Sequence, residues 1–186
     1  MNPEECRGVV TFLRHAGALK KEKRRGWVDK VKIANPESVA DHSWRTALLA
    51  LVMGSYRGLD TGRMMGMALL HDLSEAVTGD LTPMEVGRAE KRGREEEAMR
   101  SLLSNLPSPM LEVLTGLWEE YREGASREAE LVRELDKVEM ALQADEYRRE
   151  GYDAQLLNEF QVHAERLVED RALVDLLDSL KTLSSS

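Results

Sequence analysis

The sequence predicts an all-α protein, a single helical bundle, on three observations. Apolar residues recur at spacings of three and four through most of the chain, no stretch alternates convincingly with period two, and the prolines at 3, 36, 83, 107 and 109 fall between the periodic stretches. The composition agrees, since aromatic residues make up only 5% while methionine reaches 9, a balance suited to packed helices.

Val9, Val10, Leu13 and Ala16 give a short leading helix, and 27–31 is the one weak strand candidate. Asn35-Pro36-Glu37-Ser38 opens the first strong helix, with Ser38 and Asp41 in a capping arrangement and Trp44, Ala47, Leu48, Leu51 and Val52 as its apolar face. A second helix is predicted over about 61–77, with Met64, Met67, Ala68, His71 and Glu75 on one face, ending in the loop 78–83. The mixed-charge segment 88–97 reads as a polar connection. Ala98, Leu102, Leu103 and Leu106 then form a third helix, and Met110, Leu111, Leu114, Leu117, Trp118 and Tyr121 a fourth. The fifth runs over 126–150 with Leu131, Leu135, Val138 and Leu142 inward, and two more cover 154–169 and 171–183 before a serine tail. With no repeat, low-complexity block or linker, 1–186 reads as one domain, its motif-bearing core at about 10–150 and its C-terminal helices at about 153–183.

The charge balance narrows the function. Against 26 Lys and Arg stand 34 Asp and Glu, a net −8, which argues against stable nucleic-acid binding because phosphate polymers want a basic footprint. A small anion held in one local pocket is compatible with it. The single Cys6 forbids an intrachain disulfide and makes a cysteine zinc site implausible. No apolar run approaches the roughly 18 residues of a membrane span, and the polar start Met1-Asn2-Pro3-Glu4-Glu5 does not look like a targeting segment. The expectation is a cytoplasmic protein without membrane attachment.

Three features resist a purely structural reading. His71-Asp72 lies inside the apolar run Ala68 to Leu73, His42 sits early in the preceding strong helix, and Asp136 interrupts the inward face of a later one. A lone histidine on a helix is more often a packed or surface residue than a ligand. Burying isolated carboxylates, however, costs several kcal/mol unless they are paired or bound to a metal. A divalent cation satisfies His42, His71, Asp72 and Asp136 together. Their mixed nitrogen and oxygen donors suit Mn²⁺, Co²⁺, Fe²⁺ or Ni²⁺ better than a closed structural zinc site. Glu75, one turn beyond His71, suits a water-orienting or general-base role.

The order H…HD…D on separate helices is the motif of the HD-domain metal-dependent phosphohydrolases, and this sequence resembles them there. The stretches Pro36-Glu37-Ser38-Val39-Ala40-Asp41-His42-Ser43 and Leu70 to Pro83 (LHDLSEAVTGDLTP) resemble the 5′-deoxynucleotidase branch, the HD domain-containing protein 2 type, over about residues 10 to 150. The resemblance implies an HD-domain bundle and a phosphomonoesterase that hydrolyses deoxyribonucleoside 5′-monophosphates. It implies Asp80 as an acid that assists catalysis and contacts the sugar, with Glu75, Asp80 and the Leu81 carbonyl around a possible second ion. Asp80, Leu81 and Thr82 would contact substrate, Trp27 would pack against the sugar, and Arg25 would orient the phosphate. Gly26 separates Arg25 from Trp27 where the bacterial members have a basic residue directly before the tryptophan, so Arg24 is a candidate too. A homodimer is also implied.

The remaining histidines, His15 and His163, read as structural or exposed, and Trp44, Trp118 and Met64 to Met67 as core or dimer contacts. No dinucleotide or P-loop glycine motif occurs. The alternatives are another nucleotide phosphohydrolase of the HD type, acting on a diester or triphosphate, and a non-catalytic metal-binding scaffold.

Overall fold

The computed structural model describes residues 1–81 and 87–184, with the side chains of Arg88 and Ser184 set aside. Helices α1 (Pro3–Ala16), α2 (Val39–Arg57), α3 (Thr61–Leu70), α4 (Glu75–Thr78), α5 (Arg88–Leu103), α6 (Ser108–Glu123), α7 (Arg127–Arg149), α8 (Ala154–Leu167) and α9 (Arg171–Ser184) form an all-α bundle with no strand among the described residues. A 3-10 turn follows α1, and 27–31 winds as a π-helical turn rather than the strand its β-branched residues suggest. Trp27, Val31 and Ile33 are buried there against α7 and α8, so packing decides the local conformation over propensity.

Caps place the helix starts that matter. Ser38 Oγ accepts the Asp41 N–H at 3.2 Å while Asp41 Oδ2 accepts the Ser38 N–H at 2.8 Å, a reciprocal capping box. Asp60 caps α3 and Ser126 caps α7. Helix α2 packs on α3 and α7, and α7 packs on α8 and α9. Met53, Met64, Met67, Val132, Leu135 and Val138 lie at the centre of this group. A second cluster, including Phe12, Met99, Leu103 and Trp118, joins α1, α5 and α6.

The structure departs from the predicted elements in three instructive ways. The helix expected over 61–77 stops at Leu70, and a run of tight turns precedes α4. The polar segment 88–97 is helical from Arg88, because Glu90–Arg94, Lys91–Glu95 and Arg92–Glu96 pair at i,i+4 along its surface. The apolar face of α2 also points the other way. Ala47 is buried, but Trp44 is 64% exposed and Tyr56 75%, with Leu48, Leu51 and Val52 exposed between them. The buried face of α2 is instead built from Val39, His42, Ser43, Thr46, Ala50 and Met53, mostly small or polar side chains that let α3 and α7 come close.

Candidate active site

The ligand-type side chains arrive from three elements: His42 from α2, His71 and Asp72 from the turn after α3, and Asp136 from α7. The capping box fixes the start of α2 and so carries His42 into the bundle, where it is fully buried. After α3, successive i→i+3 bonds tighten the chain: Leu73 N–H to Leu70 O at 3.1 Å, Glu75 to Asp72 O at 3.0 Å and Ala76 to Leu73 O at 3.1 Å. Residues three apart eclipse in such a turn, so Asp72 and Glu75 both reach the same cleft. Asp136 comes from the inward face of α7.

The four groups converge. His42 Nε2 lies 3.2 Å from His71 Nε2, Asp136 Oδ1 lies 3.1 Å from His42 Nε2, and Asp72 Oδ2 lies 3.1 Å from His71 Nε2 and 3.7 Å from His42 Nε2. The outer ring nitrogens are engaged elsewhere. His71 Nδ1 bonds the Ala68 carbonyl at 2.7 Å, and His42 Nδ1 bonds the Glu139 carboxylate. With both Nδ1 atoms donating, both Nε2 atoms present lone pairs to each other and to two carboxylates, a set of donors that only a cation or a proton can hold together. Ligand atoms of His42, His71 and Asp72 all lie within 4.8 Å of one another, a donor set that fits a divalent cation, and Asp136 joins it through His42.

The electrostatics follow from that crowding. Burial and Arg24 would lower the His42 pKa, but Glu139 and Asp136 outweigh them and raise it to about 9. Burial would raise Asp72, yet His71, Arg24 and His42 hold it well below the ordinary carboxylate range. Asp136 is likewise held down against burial by Lys137, His42 and His71. Glu75 goes the opposite way. Burial, reinforced by Asp72 and Asp80, raises it well above its usual value, and its Oε2 has no hydrogen-bond partner among the described residues.

Of the other candidate residues, Trp27, Asp80 and Leu81 line the cleft beside this centre, and Arg25 does not. Gly79, at φ +73° and ψ 168°, takes a backbone conformation that essentially only glycine tolerates. That turn delivers Asp80, whose Oδ2 accepts the Arg25 N–H at 2.8 Å. Arg24 and Arg25 diverge. The Arg24 guanidinium lines the cleft, 3.1 Å from Asp72 Oδ2, whereas the half-exposed Arg25 side chain reaches Asp29 at 3.8 Å. Trp27 also lines the cleft but is 2% exposed, stacked 4.1 Å from Phe160 with its indole N–H on Glu37 Oε1 at 2.9 Å. The Leu81 carbonyl accepts Lys91 Nζ at 2.6 Å, and the same ammonium lies 3.8 Å from Glu75 Oε1. The chain thus supplies a positive charge where a second ion was expected. Thr82 lies outside the described residues. His15 and His163 are both exposed, and His163 borders the cleft.

Sequence reading missed Glu139, Arg45 and Lys91. Glu139 is wholly buried, and Arg45 grips its Oε1 with Nε at 2.8 Å and Nη2 at 2.7 Å. The available signal was spacing. Asp136 and Glu139 are three apart on one helix and so face one way, and Glu139 stands between the apolar Val138 and Met140.

Comparison with known proteins bears on most of the chain. The HD-domain family pattern matches residues 16–173. The chain is 44% identical over 148 residues to the 5′-deoxynucleotidase HDDC2 of Bos taurus, covering 79% of this chain and 71% of that protein. It is 38% identical over 173 residues to the Danio rerio 5′-deoxynucleotidase HDDC2, covering 92% and 86%. Among solved structures it resembles the PH0347 protein of Pyrococcus horikoshii, at 31% identity and a TM-score of 0.77, covering 94% of this chain and 99% of that one.

Proposed function

The chain belongs to the HD-domain family, and from that premise we infer that it is a metal-dependent phosphomonoesterase converting deoxyribonucleoside 5′-monophosphates to deoxynucleoside and phosphate. The observation that carries this reading is the convergence of His42, His71 and Asp72, with Asp136 on His42, beside a cleft that holds the Arg24 guanidinium and the orphaned oxygen of Glu75.

His42, His71, Asp72 and Asp136 would hold the cation, which supplies Lewis-acid polarisation of the phosphoryl group and lowers the pKa of water. The other tasks fall to side chains. Arg24 offers a forked donor set matched to phosphate oxygens, and its place among carboxylates keeps it firmly charged. Glu75 is buried, more basic than a surface carboxylate and lines the same cleft as Asp72. It serves as the acceptor for the proton that the attacking water gives up. Asp80, steadied by the Arg25 N–H, faces the sugar. The Trp27 ring, fixed by Phe160 and Glu37, is an inflexible wall against which a ribose 2′-hydroxyl would find neither room nor partner. Lys91 adds positive charge beside Glu75.

The same reading extends to assembly and place. The exposed stripe Trp44, Leu48, Val52 and Tyr56 along α2 supports a homodimer through that face, since such patches on soluble proteins mark interaction sites. The exposed free thiol of Cys6 supports a reducing, cytoplasmic setting.

Phosphate release from the four deoxynucleotides and their ribo counterparts, with Mn²⁺ or Co²⁺, tests the function. Turnover of the deoxy set is expected. Equal rates on ribonucleotides would remove the role given to Trp27, and pyrophosphate or triphosphate products would replace the reaction class.

A further inference from the structure

The cleft above the metal ligands has a volume of about 310 Å³, and its walls continue in two directions. Towards α8, Met140, Phe160 and His163 line both this cleft and a neighbouring cavity of about 510 Å³ bounded by Lys30 and Arg166. Towards α6, Asp136 and Lys137 are shared with a cavity of about 710 Å³ whose walls include Glu130, Glu134 and Glu169. A nucleotide held by its phosphate must extend its nucleoside along one of these.

The two directions differ in chemistry. The α6 side mixes Glu130, Glu134, Asp136 and Glu169 with Arg122, Arg133 and Lys137, and offers a heterocycle only the Tyr121 ring and Leu167. The α8 side offers the thioether of Met140 and the ring of Phe160, flat and soft surfaces for a heterocycle, edged by cations. Phe160, His163 and Arg166 recur at intervals of three along α8 and share a face. Lys30 Nζ approaches from the π-helical turn to 5.4 Å from the Phe160 ring centre, with one contact to Glu159 Oε2 at 3.2 Å. Arg166 makes no ion pair among the described residues. The positive field is felt at His163, whose pKa is lowered by partial burial, Lys137 and Lys30, with Arg166 adding to it.

Resting on the nucleotidase reading, we propose that the cavity between Lys30 and α8 is a nucleobase subsite, in which Phe160 and Met140 take the ring face while Lys30 and Arg166 select bases presenting carbonyl oxygens. Lys and Arg side chains donate and never accept hydrogen bonds. They reward a carbonyl oxygen and leave an exocyclic amino group at the same position without a partner, the same chemistry by which such side chains read guanine rather than adenine.

Deoxyinosine and deoxyadenosine 5′-monophosphate form the discriminating pair, because they differ at the six position in carbonyl against amino. The metal-loaded protein is expected to favour the inosine nucleotide by about tenfold in kcat/KM, the lower end of a good donor pair since the site is open to solvent. The double variant Lys30→Ala, Arg166→Ala, at exposed positions, should bring the ratio to within about twofold. A wild-type ratio near one, or a ratio unchanged in the variant, overturns the proposal. 2-Deoxyribose 5-phosphate, which lacks a base, separates this failure from failure of the nucleotidase reading. Its hydrolysis without base discrimination removes the subsite alone. If none of the three substrates is turned over, the nucleotidase reading fails, and calorimetric affinities of the same two nucleotides then decide the subsite by the same ratio.

Discussion

Replacing Glu139 by glutamine tests the construction of the metal centre at its least visible point. The substitution keeps the shape, removes one buried charge, and leaves Arg45 with Glu146 Oε1 and Gln143 Oε1, both at 2.6 Å. The cost in stability is therefore expected at about 1–3 kcal/mol, that of weakening a buried charge-assisted bond rather than stranding an ion. Two effects on cation affinity oppose each other. Without a metal, Glu139 and Asp136 keep His42 protonated up to about pH 9. A cation binding at neutral pH must therefore expel that proton, at about 3 kcal/mol for two pH units. Once the proton is gone, Glu139 orients and polarises the imidazole, and loss of such a partner weakens affinity by about 10–100-fold. Titration with Co²⁺ against a chromophoric chelator between about pH 6.5 and 8.5 separates the two. Wild-type affinity should rise about tenfold per pH unit. The variant should flatten above about pH 7 and fall below wild type at the upper end. Parallel slopes in the two proteins would refute the assignment of His42's proton to Glu139, and equal affinities at the upper end would refute its orienting role.

Arg24→Ala should lower kcat/KM by about a hundredfold or more, the scale of losing one preorganised donor to a developing phosphoryl charge. Arg25→Ala, which removes a half-exposed pair with Asp29, should cost less than about fivefold. Kinetics of both on one deoxynucleotide settle it, and the reverse order would return the phosphate to Arg25. Trp44→Glu places a charge in the exposed α2 stripe and should give a monomer by sedimentation velocity at concentrations where wild type is dimeric. Unchanged sedimentation would move the interface elsewhere.

What the sequence made legible follows from local contradiction. His42, His71, Asp72 and Asp136 stand out because polar ligand types occupy buried positions of apolar patterns, and a pattern so violated needs a reason. Lys91 sits among charged neighbours and violates nothing, whereas Glu139, between Val138 and Met140, breaks the same inward face as Asp136, and its partner His42 is visible only in the fold. The α2 stripe shows a different limit. Spacing identifies a face but not what the face meets, and small residues opposite Trp44 turned out to make the close contacts with α3 and α7. The stop of α3 at Leu70 had no glycine or proline to announce it. The choice between Arg24 and Arg25 turned on one residue of register in a loop, where no periodicity exists to decide it.

The net charge of −8 and the capacity to hold a phosphate are reconciled by the same geometry. Asp72, Glu75, Asp136 and Glu139 are packed closely enough that leaving them uncompensated would oppose folding. Without a cation the chain compensates them itself, with Arg24 on Asp72, Lys91 near Glu75, Lys137 at 2.6 Å from Asp136, and a protonated His42 between Asp136 and Glu139. Much of that positive charge faces the cleft. A substrate phosphate meets Arg24, Lys91 and Lys137 there, while the acid that dominates the global sum is spread over exposed helix faces and screened within about 8 Å at physiological salt. The total charge thus describes the surface a polyanion would meet, and the buried pairs describe the potential a monophosphate meets. Neutralising any one of these cations should disturb its own carboxylate as well as the substrate. Losses at Arg24 are therefore expected in both metal affinity and KM, whereas loss of a simple surface contact would move KM alone.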